Sequence, residues 1–277
     1  MSAAWPETRL SRLLGIRYPI IQGPFGGFRS QALAAAVSRF GGLGSLAAHD
    51  LPPDEIAAVV AGLRAATSAP FAVNLWVPAE GEGARGSAFD RSRAALAQHF
   101  AALGQAPPAD RPAASIGLSA QVRAAIDAQA PLLSFIYGIP PAEVLAECAR
   151  RGIRTIGTAT TPDEAIALER AGVNAIVASG FEAGGARGSF LRAAEDSLVG
   201  AMALVPQVVD VVDVPVIAAG GIADARGVVA ARALGAAGVQ LETALLAGAG
   251  SNEDVTTFLR ELVANVQLLA QAIAVPR

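Results

Sequence analysis

Short apolar, β-branched or glycine-bounded runs recur eight times along this chain, with helix-length segments between most of them, and that rhythm limits the possible folds more than any other feature. The runs are Pro19–Gly23, Gly42–Ala47, Pro70–Trp76, Pro131–Tyr137, Arg154–Ala159, Asn174–Ser179, Pro215–Gly220 and Gly238–Leu241. Strands that alternate with helices pair in parallel, and eight such units close into a (β/α)8, or TIM, barrel of the α/β class. A barrel of this kind takes about 250 residues. The 277 residues present are therefore read as a single barrel domain spanning 1–277.

Helix starts agree with that phase. In Thr161-Pro162-Asp163-Glu164 the threonine can cap, the proline suits the first helical position and the glutamate is placed to complete a capping box, predicting a helix to about Ala171. Pro52-Pro53-Asp54-Glu55 and Pro140-Pro141-Ala142-Glu143 repeat the pattern. Two stretches break the spacing. Residues 78–112 form a Gly-, Ala- and Pro-rich insertion after the third strand, read as a lid or side wall of a catalytic face or as a surface insertion. The tail, Glu253–Ala274, reads as one closing helix.

Composition excludes several functions. Every one of the 21 basic residues is arginine, so a Schiff-base lysine is ruled out. Two histidines, His49 and His99, and the single Cys148 leave too few ligands for a dedicated zinc site, and no metal is expected. His49 and His99 are both read as solvated or packed residues, outside the catalytic face. A net charge of -3 offers no footprint for nucleic acid. No apolar run approaches the roughly 18 residues of a membrane span, and the lone cysteine with no apolar leader suits a reducing cytoplasm. With 53% hydrophobic and 16% charged residues, some helix surface is expected to be buried in a homo-oligomer.

Three glycine loops follow late strands. Ala218-Ala219-Gly220-Gly221-Ile222-Ala223-Asp224 and Gln240-Leu241-Glu242-Thr243 lie where barrels bind phosphate, although tight turns needing positive φ explain a lone Gly-Gly equally well. Asp224 reads as a helix N-cap. Ser179-Gly180-Phe181-Glu182-Ala183-Gly184-Gly185-Ala186-Arg187-Gly188 carries four glycines, more than a structural connection ordinarily needs, and suits the wrapping of a planar cofactor. Tyr137 and Ser134 can meet a substrate or pack inward, and Trp76 can wall a pocket.

These loops, with Tyr18-Pro19-Ile20-Ile21-Gln22-Gly23-Pro24 and Phe71-Ala72-Val73-Asn74-Leu75, resemble the nitronate monooxygenase family, formerly called 2-nitropropane dioxygenases, from about Leu10 to Thr243. The resemblance implies a barrel holding FMN and oxidising an alkyl nitronate with O2. It implies Gln22, Gly23 and Pro24 beneath the isoalloxazine, Asn74 beside it, Ser179 and Gly184 near the ring or ribityl chain, and phosphate on Gly220, Gly221, Gln240, Leu241, Glu242 and Thr243.

The chain departs from the family pattern at four points. Ala186 stands where the family's base, a histidine, is expected, which predicts impaired handling of neutral nitroalkanes, while Arg187 is placed to hold an anion or to form an ordinary salt bridge. Ser179 replaces a common glutamine, Glu242 replaces a glycine beside the expected phosphate, and the tail is short. Two alternatives stay open: an NAD(P)H-dependent FMN reductase of a quinone or enoyl thioester, and a barrel that has lost its chemistry.

Overall fold

The computed structural model describes residues 7–25, 30–77, 85–106, 117–247 and 252–274. Eight parallel strands form one sheet in the order β1-β8-β7-β6-β5-β4-β3-β2. They are β1 (Ile20–Gln22), β2 (Gly44–Ala47), β3 (Phe71–Trp76), β4 (Leu132–Ile136), β5 (Arg154–Ala159), β6 (Ala175–Ser179), β7 (Val216–Ala219) and β8 (Gly238–Leu241). The last gap, between β1 and β2, is closed by a parallel bridge from Ile21 to Leu43, with Gln22 N–H donating to the Leu43 carbonyl at 2.8 Å. All eight runs read from sequence are strands, most trimmed by a residue or two at their Gly or Pro ends.

Side-chain phase follows the period of two. In β3, Phe71, Val73 and Leu75 pack outward on helices while Ala72 packs within the barrel, which puts Asn74 on the inner side at the carboxyl end. Ile21, Val177, Ile217 and Ala219 fill the interior, and Leu10 and Leu14 of α1 (Arg9–Leu14) plug its amino end. The covering helices are α2 (Gln31–Phe40), α3 (Pro53–Ala66), α5 (Leu118–Asp127), α6 (Ala142–Arg150), α7 (Pro162–Ala171), α8 (Ala201–Val209) and α9 (Ala225–Ala233). A short α10 (Thr243–Ala247), not foreseen from sequence, precedes α11 (Asn252–Ala274), which packs on α2 and α9 as the closing tail helix.

Of the 78–112 insertion, α4 (Arg85–Ala102) is described, and its residues 92–99, His99 included, are exposed. Residues 78–84 and 107–112 lie outside the described residues, and with them the reading of a lid. Among the described residues no helix is long and apolar enough to cross a membrane.

The start of α7 departs from the expected capping box. Thr161 Oγ1 accepts from Glu164 N–H at 3.3 Å, but the Glu164 carboxylate does not return to Thr161; it reaches one residue further back, to Thr160. Thr161→Ala is expected to lower stability by about 1 kcal/mol, the usual worth of an N-cap, measured as a fall in urea midpoint.

Candidate active site

At the carboxyl ends of the strands two cavities meet. The larger, about 440 Å3, falls in the 300–1,000 Å3 range of small-molecule sites and is walled by Pro24, His49, Asn74, Trp76, Tyr137 and the 183–188 loop. The smaller, about 170 Å3, lies among Gly184, Gly220, Gly221 and the start of α10. Ala183, Gly184, Gln240, Glu242 and Thr243 line both. A wider cleft of about 670 Å3 between α2 and α11 contains Arg17, Arg39 and Arg260 but brings together no strand carboxyl ends and no glycine loop.

The loop from Gly180 to Gly200 is held by two charged side chains that bond its backbone, the part-buried Arg187 and the buried Glu164. Arg187 donates through Nη1 to the Ser179 carbonyl at 2.7 Å and through Nη2 to the carbonyls of Thr160 at 3.3 Å and Ser197 at 2.5 Å. Glu164, fully buried, accepts from Thr160 N–H at 2.6 Å and Thr160 Oγ1 at 2.7 Å with one oxygen, and from Phe190 and Leu191 N–H at 2.6 and 3.1 Å with the other. Desolvation pulls the Arg187 pKa down, while the charges of Glu164 and Glu182 oppose that shift. Both terminal nitrogens of Arg187 thus donate to backbone carbonyls, while its buried Nε has no partner among the described residues and the side chain lines the larger cavity.

An aromatic wall faces this loop. The His49 ring stacks on Trp76 with centroids 3.6 Å apart and planes 1° from parallel, and Trp76 meets Tyr137 edge-on at 4.9 Å. Tyr137 occupies the left-handed region at φ 71, unusual for a bulky residue and a form of strain found where function fixes a side chain. Its hydroxyl donates to the Ala186 carbonyl at 3.4 Å, and burial raises its pKa above the usual phenol value, which keeps it a proton donor. His49 is packed, as expected, but against Trp76 in the cavity lining, which corrects the expectation that it lies outside the catalytic face. It stands two residues beyond β2, and a strand's carboxyl end in a barrel always opens on that face.

Each residue expected to hold cofactor can now be located. Pro24, Asn74, Ser179, Gly184, Gln240, Glu242 and Thr243 line the larger cavity, and Gly220 and Gly221 the smaller. Asn74 Nδ2 donates to Ser134 Oγ at 3.0 Å, leaving its buried Oδ1 without a partner among the described residues. Three expectations need correction. Leu241 points outward into the hydrophobic core and offers only its carbonyl, which Gly23 N–H takes at 2.8 Å. Gln22 follows the inward Ile21, so it faces away from both cavities and donates to the Ser45 carbonyl at 2.8 Å. Gly23 is roofed by Glu242: a methyl group added to it would lie 2.1 Å from Glu242 Cγ and 2.5 Å from Oε1. Asp224 is the expected N-cap, accepting from Arg226 and Gly227 N–H at 2.9 and 3.3 Å.

Comparisons with known proteins agree on the family of the chain as a whole. The nitronate monooxygenase family matches residues 7–270. Over 262 residues the chain is 40% identical to a probable nitronate monooxygenase of Staphylococcus aureus, covering 94% of this chain and 73% of that one. Among solved structures, nitroalkane oxidase from Streptomyces ansochromogenes superposes with a TM-score of 0.77 at 38% identity, over 86% of this chain and 68% of the other. FabK from Thermotoga maritima gives 0.68 at 31% identity, over 88% and 64%. With a barrel, a two-part cavity and glycine loops of this order, the chain belongs to the nitronate monooxygenase family and is a nitronate monooxygenase-like flavin oxidoreductase.

Proposed function

We propose that this protein, through a single barrel domain, oxidises alkyl nitronates with O2, uses FMN, and takes its substrate already ionised. The observation that carries the reading is the larger cavity. It opens beside the glycine-lined pocket and is walled by donors and aromatic faces, yet it has a methyl group at position 186.

The residues fit a phosphorylated flavin at all but one point. The unpartnered Asn74 Oδ1 suits a ring N–H, and the cavity at 440 Å3 suits a planar ring system. Gly220 and Gly221, at φ 109 and 68, turn the chain in a way that only glycine does without strain, and a side chain at Gly220 would press on Ala183 N at 3.1 Å. Gly221 and Thr243 would hold the phosphate. The exception is Glu242, whose carboxyl stands at the junction of the two cavities.

FMN, when bound, supplies the electron transfer from nitronate and onward to oxygen that no side chain here can perform. The chain itself binds and orients. Tyr137, held protonated by burial and fixed by its backbone, is a hydrogen-bond donor at the cavity wall and would meet a nitronate oxygen by turning its one O–H from the Ala186 carbonyl, which it reaches at 3.4 Å. His49 and Trp76 give a flat, partly apolar wall against which an alkyl chain packs. Arg187 and Glu164 keep the 180–200 loop in place. Because a nitronate is an anion with no proton to remove, this set needs no base at position 186. Cys148 is buried, with its thiol pushed up to about 11 by desolvation, which fits a cytoplasmic enzyme that does not use thiol chemistry.

The test is the visible spectrum of the full chain loaded with FMN, followed under anaerobic conditions on adding propyl-2-nitronate and, separately, NADH. Bleaching by nitronate and reoxidation by air is the expected result. Bleaching by NADH alone would move the assignment to a reductase. A colourless protein at saturating FMN would overturn both.

A further inference from the structure

The junction between the two cavities holds a carboxyl group that the proposed reaction does not use. Glu242 directly follows β8, and its side chain folds across β1 so that Cγ sits on the Gly23 backbone. Gln240 Nε2 donates to Oε1 at 3.1 Å, while Oε2 faces the Gly184 backbone, 3.8 Å from where a side chain there would begin. The carboxyl therefore lies on the path linking the ring cavity to the glycine pocket, against three segments of the site at once.

Its electrostatic surroundings are one-sided. In the smaller pocket the other ionisable group is Glu182, whose two oxygens accept from Ala201 N–H, each at 3.0 Å. Neither Gly220 and Gly221 after β7 nor Thr243 and Ala244 of α10 brings a charge, and among the residues lining that pocket there is no arginine. Across the larger cavity the titratable groups are His49, Tyr137 and Arg187, the last with both Nη groups spent on carbonyls. Two carboxylates and no cation make poor company for a phosphate dianion, since like charges at contact distance repel by several kcal/mol wherever water is thin.

We propose that Glu242 makes this site discriminate by cofactor charge, so that FMN enters with uptake of a proton by Glu242, whereas uncharged riboflavin enters without one. This rests on the reading that the cavity holds a flavin. Burial already pushes the Glu242 carboxyl pKa up, with the Gln240 hydrogen bond opposing the shift, the same direction in which a neighbouring phosphate would push it. The sign follows from linkage. If FMN binds the protonated carboxyl better, its affinity is highest at low pH. It falls as pH rises through the carboxyl's pKa in the flavin-free protein, and levels off above the higher pKa of the complex. The phosphate's own second ionisation, near pH 6, adds a slope of its own in wild type and variants alike. Only a comparison with a neutral residue at 242 isolates the carboxyl.

The experiment titrates the full chain, freed of copurifying flavin, with FMN and with riboflavin between about pH 5.5 and 8.5, following flavin fluorescence. Wild type, Glu242→Gln and Glu242→Gly are compared. Over this range the wild-type Kd for FMN is expected to weaken by about tenfold more than that of Glu242→Gln, the linkage expected where bound FMN makes the carboxyl proton about tenfold harder to remove. Riboflavin should bind wild type and Glu242→Gln within about threefold of each other at every pH. Glu242→Gly, which also clears the roof over Gly23, should bind both flavins more tightly with no excess slope for FMN. Calorimetry in buffers of different ionisation enthalpy should show wild type taking up more protons with FMN than Glu242→Gln does. Equal FMN slopes in wild type and Glu242→Gln would overturn the proposal and leave the flavin reading standing. Absence of binding by either flavin to all three proteins would overturn both.

Discussion

Replacing Ala186 with histidine should raise kcat/KM for a neutral nitroalkane by about 10²-fold, the lower end of what a positioned general base contributes, while changing that for the preformed nitronate by less than about threefold. Position 186 lines the larger cavity, and its carbonyl is already held by the Tyr137 hydroxyl, so a new side chain starts from an anchored backbone. The base must be neutral to accept a proton. The gained activity should therefore appear as pH rises through the imidazole's range near 6.5 and be lost below it. Steady-state assays on 2-nitropropane and propyl-2-nitronate across pH make the test. Equal gains on both substrates would mean that the histidine merely improves binding, and the argument that ionised substrate bypasses the missing base would fail.

The barrel was legible because burial on both faces makes each strand a nearly continuous apolar run, and eight such runs admit few topologies. Site residues were legible where a backbone property was at stake. Gly220 and Gly221 turn at positive φ, and Asp224 caps α9, as their types suggest. Side-chain direction was harder. Leu241 and Gln22 sit in the right segments but one residue out of phase, because a strand shows only every second side chain to the cavity. Glu164 matched a capping box by spacing, yet its partners, the Phe190 and Leu191 amides, lie 26 and 27 residues ahead, a tertiary choice that no local pattern encodes. His49 was set aside for lacking a motif; its distance past the end of β2 was the available signal. That Glu242 would roof Gly23 followed from no spacing rule, although a carboxylate in a phosphate loop was itself the anomaly to notice.

Glu164→Ala should cost about 2–4 kcal/mol of stability, the penalty for leaving buried donors without their acceptor, and most of the disorder should fall on residues 180–200. Of the four donors that now share the carboxylate, the two on Thr160 are buried and would be stranded, at about 1–3 kcal/mol for an unmet buried donor, while the part-buried Phe190 and Leu191 amides would lose the contact that ties the loop down. Arg187 would also lose the negative charge that offsets its desolvation. Since Arg187 in turn holds the carbonyls of Thr160, Ser179 and Ser197, the damage should pass from the start of α7 to the glycine loop beside both cavities. Three readouts separate this from a lost helix cap: a urea midpoint shift well beyond that of Thr161→Ala, faster amide exchange in residues 180–200, and weaker flavin binding. The double variant Glu164→Ala, Arg187→Ala should be less destabilised than the sum of its parts, because both side chains hold Thr160 and the same loop, and losing either already loosens it. If Glu164→Ala unfolds within about 1 kcal/mol of Thr161→Ala and exchange at 180–200 is unchanged, the loop is held by its glycine turns alone and the buried carboxylate is incidental to the site.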